Sequence, residues 1–309
     1  MRVALIGGTG FVGSYIIDAL LAAGHQPVVL VRPGSEHRVR EAGKCTMVGG
    51  SLADRTALAT CMRDCDAAIY LIGILREQPS AGITFDALQN IGARICMDVA
   101  LEQGVKHFVL MSANGACGEG TAYQRSKYAA EQYLAESDLR GTVFRPSVIY
   151  GDPRGCMEFC TQLRDQMIRP PLPAPVFFRG LSPARGGFSL TPVHVEDVAS
   201  AFVASLQSPA SVGQIFPLGG NETLSWPAIL RRIANASGKR KILLPVPAVF
   251  VRLACVLLDR FSWFPITRDQ LDMLLEGNVV ESQAAFKMFG IAVRGMHADE
   301  LRYLQSTAQ

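Results

Sequence analysis

No Cys-x-x-Cys pair occurs in this 309-residue chain, and only five histidines are present to complete a metal site. The eight cysteines are Cys45, Cys61, Cys65, Cys96, Cys117, Cys156, Cys160 and Cys255. Two pairs stand four residues apart, Cys61/Cys65 and Cys156/Cys160, with no histidine clustered beside them, so no metal site is expected. Small buried thiols in a reducing cytosol account for cysteines of this kind. Charge of one sign is equally scarce. A formal net charge of +3 argues against a nucleic-acid partner and is neutral towards an anionic small ligand. No repeat of solenoid period is present. No apolar run is long enough to span a bilayer: the most apolar stretch, 242–258, is broken by Pro245, Pro247 and Arg252. A buried helix from about Ala248 is expected there. A helix lying on a membrane surface is the alternative, because Arg260, Phe261, Trp263 and Phe264 follow. The opening "MRVALIGG" reads as a strand, without the apolar stretch and cleavage site of a secretory signal. The expected location is the cytoplasm, with a peripheral position at the inner face of the membrane as the alternative.

What is present is apolar sequence cut into alternating strand and helix signals. Hydrophobic residues make up 49% of the chain and charged residues 18%, the composition of a packed globular protein. Short apolar runs at 3–6, 28–31, 46–48, 67–72, 107–111 and 142–145 alternate with helix-period segments near 11–23, from 54, up to 103, and 123–136. Strands apolar throughout and separated by helices form a parallel sheet covered on both faces. The expected fold class is therefore α/β, a doubly wound parallel (Rossmann) sheet with a smaller, mostly helical C-terminal lobe. The expected boundaries are a dinucleotide-binding domain over 1–151, to which 188–219 return, and a substrate lobe from 152–187 and 220–309. The Pro-, Gly- and Arg-rich stretch 167–187 is expected to be a long loop with little regular structure. A ligand would lie at the carboxyl ends of the strands, between domain and lobe.

"ALIGGTGFVGS" carries the first chemistry. Gly7, Gly10 and Gly13 fall in a G-x-x-G-x-x-G spacing between the first strand and the first helix, with Thr9, Phe11 and Val12 completing the loop. Gly7 permits a tight turn, Gly10 lets backbone approach a diphosphate, and Gly13 allows close helix–strand packing. The helix N-terminus then offers unpaired N–H groups to phosphate. An acidic residue after the second strand would accept hydrogen bonds from an NAD ribose. This chain has Arg32 there, which pairs instead with a 2′-phosphate and stacks on adenine, with Ser35 and Arg38 as further contacts. The expected cofactor is NADP, ahead of NAD. Ser51 and Leu52 close the third strand beside the adenine, and Asp54 reads as an N-cap or a ligand contact.

On these motifs, with Tyr123-x-x-x-Lys127, "RPSVIYG" (145–151) and "TPVHVEDVA" (191–199), the chain resembles the short-chain dehydrogenase/reductase superfamily in its extended, epimerase/dehydratase-like branch. Within it the chain is most similar to bacterial relatives of the nucleotide-binding accessory subunit of respiratory complex I, through Arg32, "LIG" at 71–73, "TRDQLDMLLEGNVV" from Thr267, and "FGI" at 289–291. The resemblance implies that Tyr123 is the proton donor or acceptor at a substrate carbinol or carbonyl. It also implies that Lys127 holds the nicotinamide ribose and lowers the phenol pKa. A third residue would orient the substrate oxygen: Ser112 is the candidate, with Asn114 as the rival, and the alternative is that Ser112 only caps a turn. The segment from Ser112 to Tyr123 is shorter than in sugar-nucleotide epimerases, which argues against a standard sugar-nucleotide substrate. Ile72, Gly73, Pro146, Ser147 and Val148 would border the nicotinamide. His194 and Asp197 read as structural. Arg154, Arg169, Arg179 and Arg185 would either meet an anionic substrate group or be solvated.

Two functions follow. One is an NADP-dependent oxidoreductase or epimerase-like enzyme acting on a small carbonyl or carbinol compound. The other is a non-catalytic NADP-binding structural, assembly or redox-sensing partner of a membrane respiratory complex. Apolar helix faces leave a homodimer open.

Overall fold

The structure, a computed structural model, describes residues 1–180, 186–258 and 266–305; Arg185, Arg260, Phe261, Trp263 and Phe264 lie outside the described residues. The chain begins β1 (Arg2–Ile6), α1 (Phe11–Ala22), β2 (Gln26–Val31), β3 (Thr46–Gly49), α2 (Arg55–Met62) and β4 (Ala67–Tyr70). It continues α3 (Gly92–Glu102), β5 (His107–Met111), α4 (Ala122–Glu136), β6 (Arg140–Pro146), β7 (Ile149–Tyr150), α5 (Phe159–Leu163) and β8 (Ala174–Phe178). Then follow β9 (Ser189–Leu190), β10 (Val193–His194), α6 (Val195–Ser205), β11 (Gln214–Leu218) and β12 (Leu224–Ser225). The last elements are α7 (Trp226–Ala236), β13 (Leu243–Pro247), α8 (Ala248–Leu258), α9 (Arg268–Glu276) and α10 (Gln283–Met288).

Two compact units divide the chain. The first comprises Met1–Pro146, Val195–Leu218 and Ser282–Ala292. Its centre is a seven-stranded sheet in the order β11-β6-β5-β4-β1-β2-β3, every pair parallel. This is the doubly wound Rossmann sheet that the apolar strands imply. Strand order reverses between β1 and β4, where such sheets open a crevice at their carboxyl ends. The central strands β1 and β4 are buried almost throughout because helices cover both faces: Val3, Ala4, Leu5 and Ile6 of β1 are all fully buried. Each helix start has a local cause. Asp54 caps α2 by accepting from the Ala57 N–H at 2.9 Å. Thr121 and Gln124 form a reciprocal capping box at the start of α4. Late in the chain, Phe289 returns to this unit and packs its ring on Phe144 and Phe216.

The second unit comprises Ser147–His194, Gly219–Glu281 and Val293–Gln309. Its core gathers around the fully buried Trp226, whose ring meets Phe159, Phe177 and Phe188. Residues 181–185 lie outside the described residues, and the described part of the stretch 167–187 is not all irregular loop. It holds β8, which pairs in parallel with β13, Leu243 opposite Ala174 and Pro247 opposite Phe178. Prolines at 175, 245 and 247 disguise both strands. They are tolerated because a two-stranded sheet consists only of edges, so an N–H can be missing without breaking an inner ladder. α8 begins at Ala248 as its periodicity predicts, but only part of it is buried, through Ala248 and Cys255.

Candidate functional site

The strand ends β1, β2, β4, β5 and β6 gather most of the candidate residues within the first unit. Gly7 leaves β1 with φ +101°, a conformation that favours glycine. The Gly10 N–H donates to the Gly7 carbonyl at 3.1 Å, and Gly10 is the N-cap of α1 with no side-chain cap. The glycines differ in what holds them. A Cβ on Gly13 would fall 2.4 Å from the Gly7 carbonyl oxygen and 2.7 Å from the Gly8 Cα. One on Gly8 would fall 2.6 Å from Val29 Cγ1. These two keep helix and strand in contact. Gly10 has an ordinary φ of −87°, and a Cβ there would meet only the Gly7 oxygen, at 3.3 Å. Its missing side chain serves approach from outside rather than internal packing. Val12 is buried, while Phe11 packs edge-on against Tyr15. Thr9 is half-buried in the same loop.

Arg32 directly follows β2 and is exposed. Leu30 is in register with Ile6, so Arg32 lies one strand spacing from the glycine loop. Its carbonyl accepts from the Ser35 N–H at 2.9 Å, and the Ser35 carbonyl accepts from the Arg38 N–H at 3.1 Å. Arg32, Ser35 and Arg38 thus mark the ends of two successive turns. Ser51 is exposed, Leu52 packs on the core edge, and Asp54 is occupied as an N-cap.

Lys127 is 3% exposed, and its ammonium donates to the Met111 carbonyl at 2.9 Å and the Ile72 carbonyl at 3.2 Å. These carbonyls lie at the ends of β5 and just beyond β4. Gly73 stands so close that a Cβ would come 3.3 Å from Nζ. Burial lowers the Lys127 pKa to about 8, against the opposing pull of Glu131. Tyr123 lies one turn earlier on the same face of α4, half-buried and edge-to-face with Phe85 at 5.6 Å. Burial pushes its phenol up to about 12, the reverse of the lowering by Lys127 that the resemblance implies. Ser112, immediately after β5, is 2% exposed, and its backbone N–H donates to the Phe144 carbonyl at 2.8 Å. Its hydroxyl oxygen is buried with no hydrogen-bond partner. Asn114 is half-buried, with its N–H on the Pro146 carbonyl at 3.0 Å.

Pro146 ends β6 in the first unit, whereas Ser147 and Val148 open the second. There the Ser147 hydroxyl donates to the Asn278 carbonyl at 3.0 Å, and the Val148 carbonyl accepts from the Val193 N–H at 2.9 Å. His194 is buried against Tyr150, with Nε2 3.6 Å from a Glu300 carboxylate oxygen. Asp197 is fully buried in the first turn of α6. Arg169 pairs with Asp165 at 3.0 Å, and Arg154 and Arg179 are exposed.

Three supports went unnoticed in the sequence. Gln89, in a π-helical turn over Asp86–Ile91, is 1% exposed and donates to the Ile74 carbonyl at 2.8 Å while accepting from the Ser126 hydroxyl at 3.1 Å. It ties the residue beside Lys127 to the loop after β4. Phe85 fixes the Tyr123 ring. Glu131 is buried and bidentate to Arg145, at 2.9 and 2.5 Å. Only this last pair left a sequence signal: Glu131 stands four residues after Lys127, and Arg145 opens "RPSVIYG".

Comparison with known proteins gives the family and the fold. A sequence model of the NAD(P)H-binding family matches residues 7–167, more than half of the chain, and the chain belongs to that family. It is similar to the ceramide reductase of Caulobacter vibrioides, 27% identical over 84% of this chain and 78% of the relative. It is also similar to "NADH dehydrogenase [ubiquinone] 1 alpha subcomplex subunit 9, mitochondrial" of Dictyostelium discoideum, 24% identical over 87% of this chain and 74% of the relative. Among solved structures, the UDP-glucose 4-epimerase of Thermus thermophilus in complex with NAD shares the fold, with a TM-score of 0.74 at 22% identity over 99% of this chain and 98% of that one. The fold is thus epimerase-like, in line with the resemblance that the motifs carry.

Proposed function

We propose that this member of the NAD(P)H-binding family binds NADP(H) at the carboxyl ends of β1, β2 and β4 and acts on a carbonyl or carbinol carbon of a small molecule. The observation that carries the reading is the buried Lys127 ammonium, held by the Ile72 and Met111 carbonyls one helical turn from Tyr123. Burying a cation is costly, and a fold tolerates it where the charge has work to do.

Backbone around Gly7, Gly10 and Gly13 would take the diphosphate, with Thr9, Phe11 and Val12 shaping the loop. Arg32 would pair with the 2′-phosphate, assisted by Ser35 and Arg38. Ser51 and Leu52 would border the adenine. Ile72, Gly73, Pro146, Ser147 and Val148 would border the nicotinamide, Ser147 through its backbone because its hydroxyl is engaged by Asn278. When bound, a nicotinamide supplies hydride transfer. Tyr123, with its phenol raised to about 12, is protonated at neutral pH, the form that donates to a carbonyl oxygen. Acting in the opposite direction, it would take a proton as phenolate, with Lys127 stabilising the charge. Ser112 is favoured over Asn114 as the orienting residue, because a buried hydroxyl without a partner has a hydrogen bond to give to a substrate oxygen.

A second reading draws on the similarity to the Dictyostelium subunit: a non-catalytic NADP(H)-binding partner of a respiratory complex, cytoplasmic and peripheral at the inner face of the membrane. Tyr123→Phe separates the two. Unchanged NADPH affinity with turnover abolished in a carbonyl-substrate screen supports the enzyme. Full biological activity of Tyr123→Phe, together with its loss in Arg32→Asp, supports the binding partner.

A further inference from the structure

α8 is apolar on both sides. Ala248 and Cys255 face the core of the second unit. On the other side Val249, Phe250, Leu253 and Val256 are 66, 65, 61 and 58% exposed. Spaced at i, i+1, i+4 and i+7, these four share one stripe. Before the helix, Ile242, just ahead of β13, and Leu244 within it are exposed as well. Scattered exposed apolar residues are ordinary on a protein surface, but a contiguous stripe along one helix marks a contact surface. Among the described residues no helix is long and apolar enough to cross a membrane, and eleven residues of α8 reach only about half of a hydrocarbon core.

The sequence that leads into α8 is basic, whereas the acids on the neighbouring helix α9 are Asp269, Asp272 and Glu276. From Thr223 to Leu258 the sequence has six cations (Arg231, Arg232, Lys239, Arg240, Lys241 and Arg252) and no acid. Three are engaged: Arg232 with Glu222, Arg252 with Asp272, and Lys241 on the carbonyls of Ile168 and Pro170. Arg231, Lys239 and Arg240 are exposed and pair with no carboxylate among the described residues. Lys239 and Arg240 lie three and two residues before the exposed Ile242. Arg179 adds charge at the start of α8, where with Ala248, Val249, Arg252 and Leu275 it lines a cavity of about 300 Å³.

We propose that this face docks on an anionic lipid surface. The side chains of Val249, Phe250, Leu253 and Val256 enter the head-group boundary, while Lys239 and Arg240 meet lipid phosphates. A second copy of the chain is the poorer occupant. A two-fold interface through α8 would bring the two cationic flanks together, with repulsion in place of complementarity. The inference concerns the second unit and stands apart from the nucleotide reading.

The test is co-sedimentation of the full chain with vesicles of phosphatidylcholine alone or mixed with phosphatidylglycerol, at low and high salt. The protein pellets with the anionic vesicles at low salt and is released at high salt. Lys239→Gln with Arg240→Gln weakens partitioning roughly tenfold or more. Phe250→Glu with Leu253→Glu removes it, and all these variants keep the wild-type NADPH affinity as proof of folding. Failure to pellet with anionic vesicles overturns the proposal, as does equal pelleting by both double variants. So does binding to native inner-membrane vesicles but not to protein-free ones, which assigns the face to a protein. A concentration-dependent dimer that Phe250→Glu dissolves, with no vesicle binding, overturns it in favour of a second copy.

Discussion

A side chain on Gly13 would place its Cβ 2.4 Å from the carbonyl oxygen of Gly7. The helix that follows the loop therefore rests directly on the strand end, and Gly10 is left as the open position between them. The two glycines should fail differently. Gly13→Ala is expected to destabilise the fold by about 1–3 kcal/mol through overpacking, seen as a lower denaturation midpoint. Gly10→Ala, with its single contact at 3.3 Å, is expected to keep most of its stability and lose NADPH affinity at least about tenfold in calorimetric titration.

Lys127 makes stability depend on pH. Its folded pKa of about 8 lies below the ordinary value of 10.5, so between these pH values the unfolded chain binds more protons and this group's contribution to stability rises with pH. Lys127→Met removes a buried cation but also two hydrogen bonds to carbonyls. Its expected effect at pH 7 is a net gain of ~1–2 kcal/mol, out of the roughly 3 kcal/mol implied by the shift. That gain shrinks as pH approaches 10.5. Denaturant midpoints of both proteins from pH 7 to 10.5 check this, and NADPH affinity should fall in the same variant.

Glu131 is nearly inaccessible and depends on Arg145 for its compensating charge. Arg145→Met leaves the carboxylate buried without that partner and is expected to cost about 3–5 kcal/mol. The double variant Arg145→Met with Glu131→Gln should recover a large part of that loss, measured in a denaturation cycle.

Ser112→Ala removes a buried oxygen that has no partner, so stability should stay level or rise by about 1 kcal/mol. If the hydroxyl orients substrate, turnover falls roughly a hundredfold with NADPH affinity unchanged. Thermal midpoint and single-turnover rate on one preparation test both halves.

The sheet was legible because a buried parallel strand must be apolar on both faces, and 3–6, 28–31 and 107–111 have no other reading. The glycine loop was legible because its spacing falls at the first strand–helix junction. What stayed hidden depends on distant residues. β8 and β13 pair across some seventy positions and carry prolines that speak against strands. For α8 the sequence left a buried helix and a surface-lying one both open, and only the structure shows Phe250 and Leu253 exposed. Gln89 escaped because a lone polar residue gives no sign that a π-turn will aim it at Ser126. The sequence puts Ser112 ahead of Asn114 as the orienting residue, but that its hydroxyl lacks a partner could be seen only in the structure.

The most direct measurement is parallel titration of NADPH and NADH into the wild-type chain and Arg32→Asp. Arg32, one strand spacing from the glycine loop, should give the wild type a preference for NADPH of about tenfold or more, which Arg32→Asp abolishes or reverses. Equal or tighter binding of NADH by the wild type, or an Arg32→Asp variant that still prefers NADPH, would contradict the account.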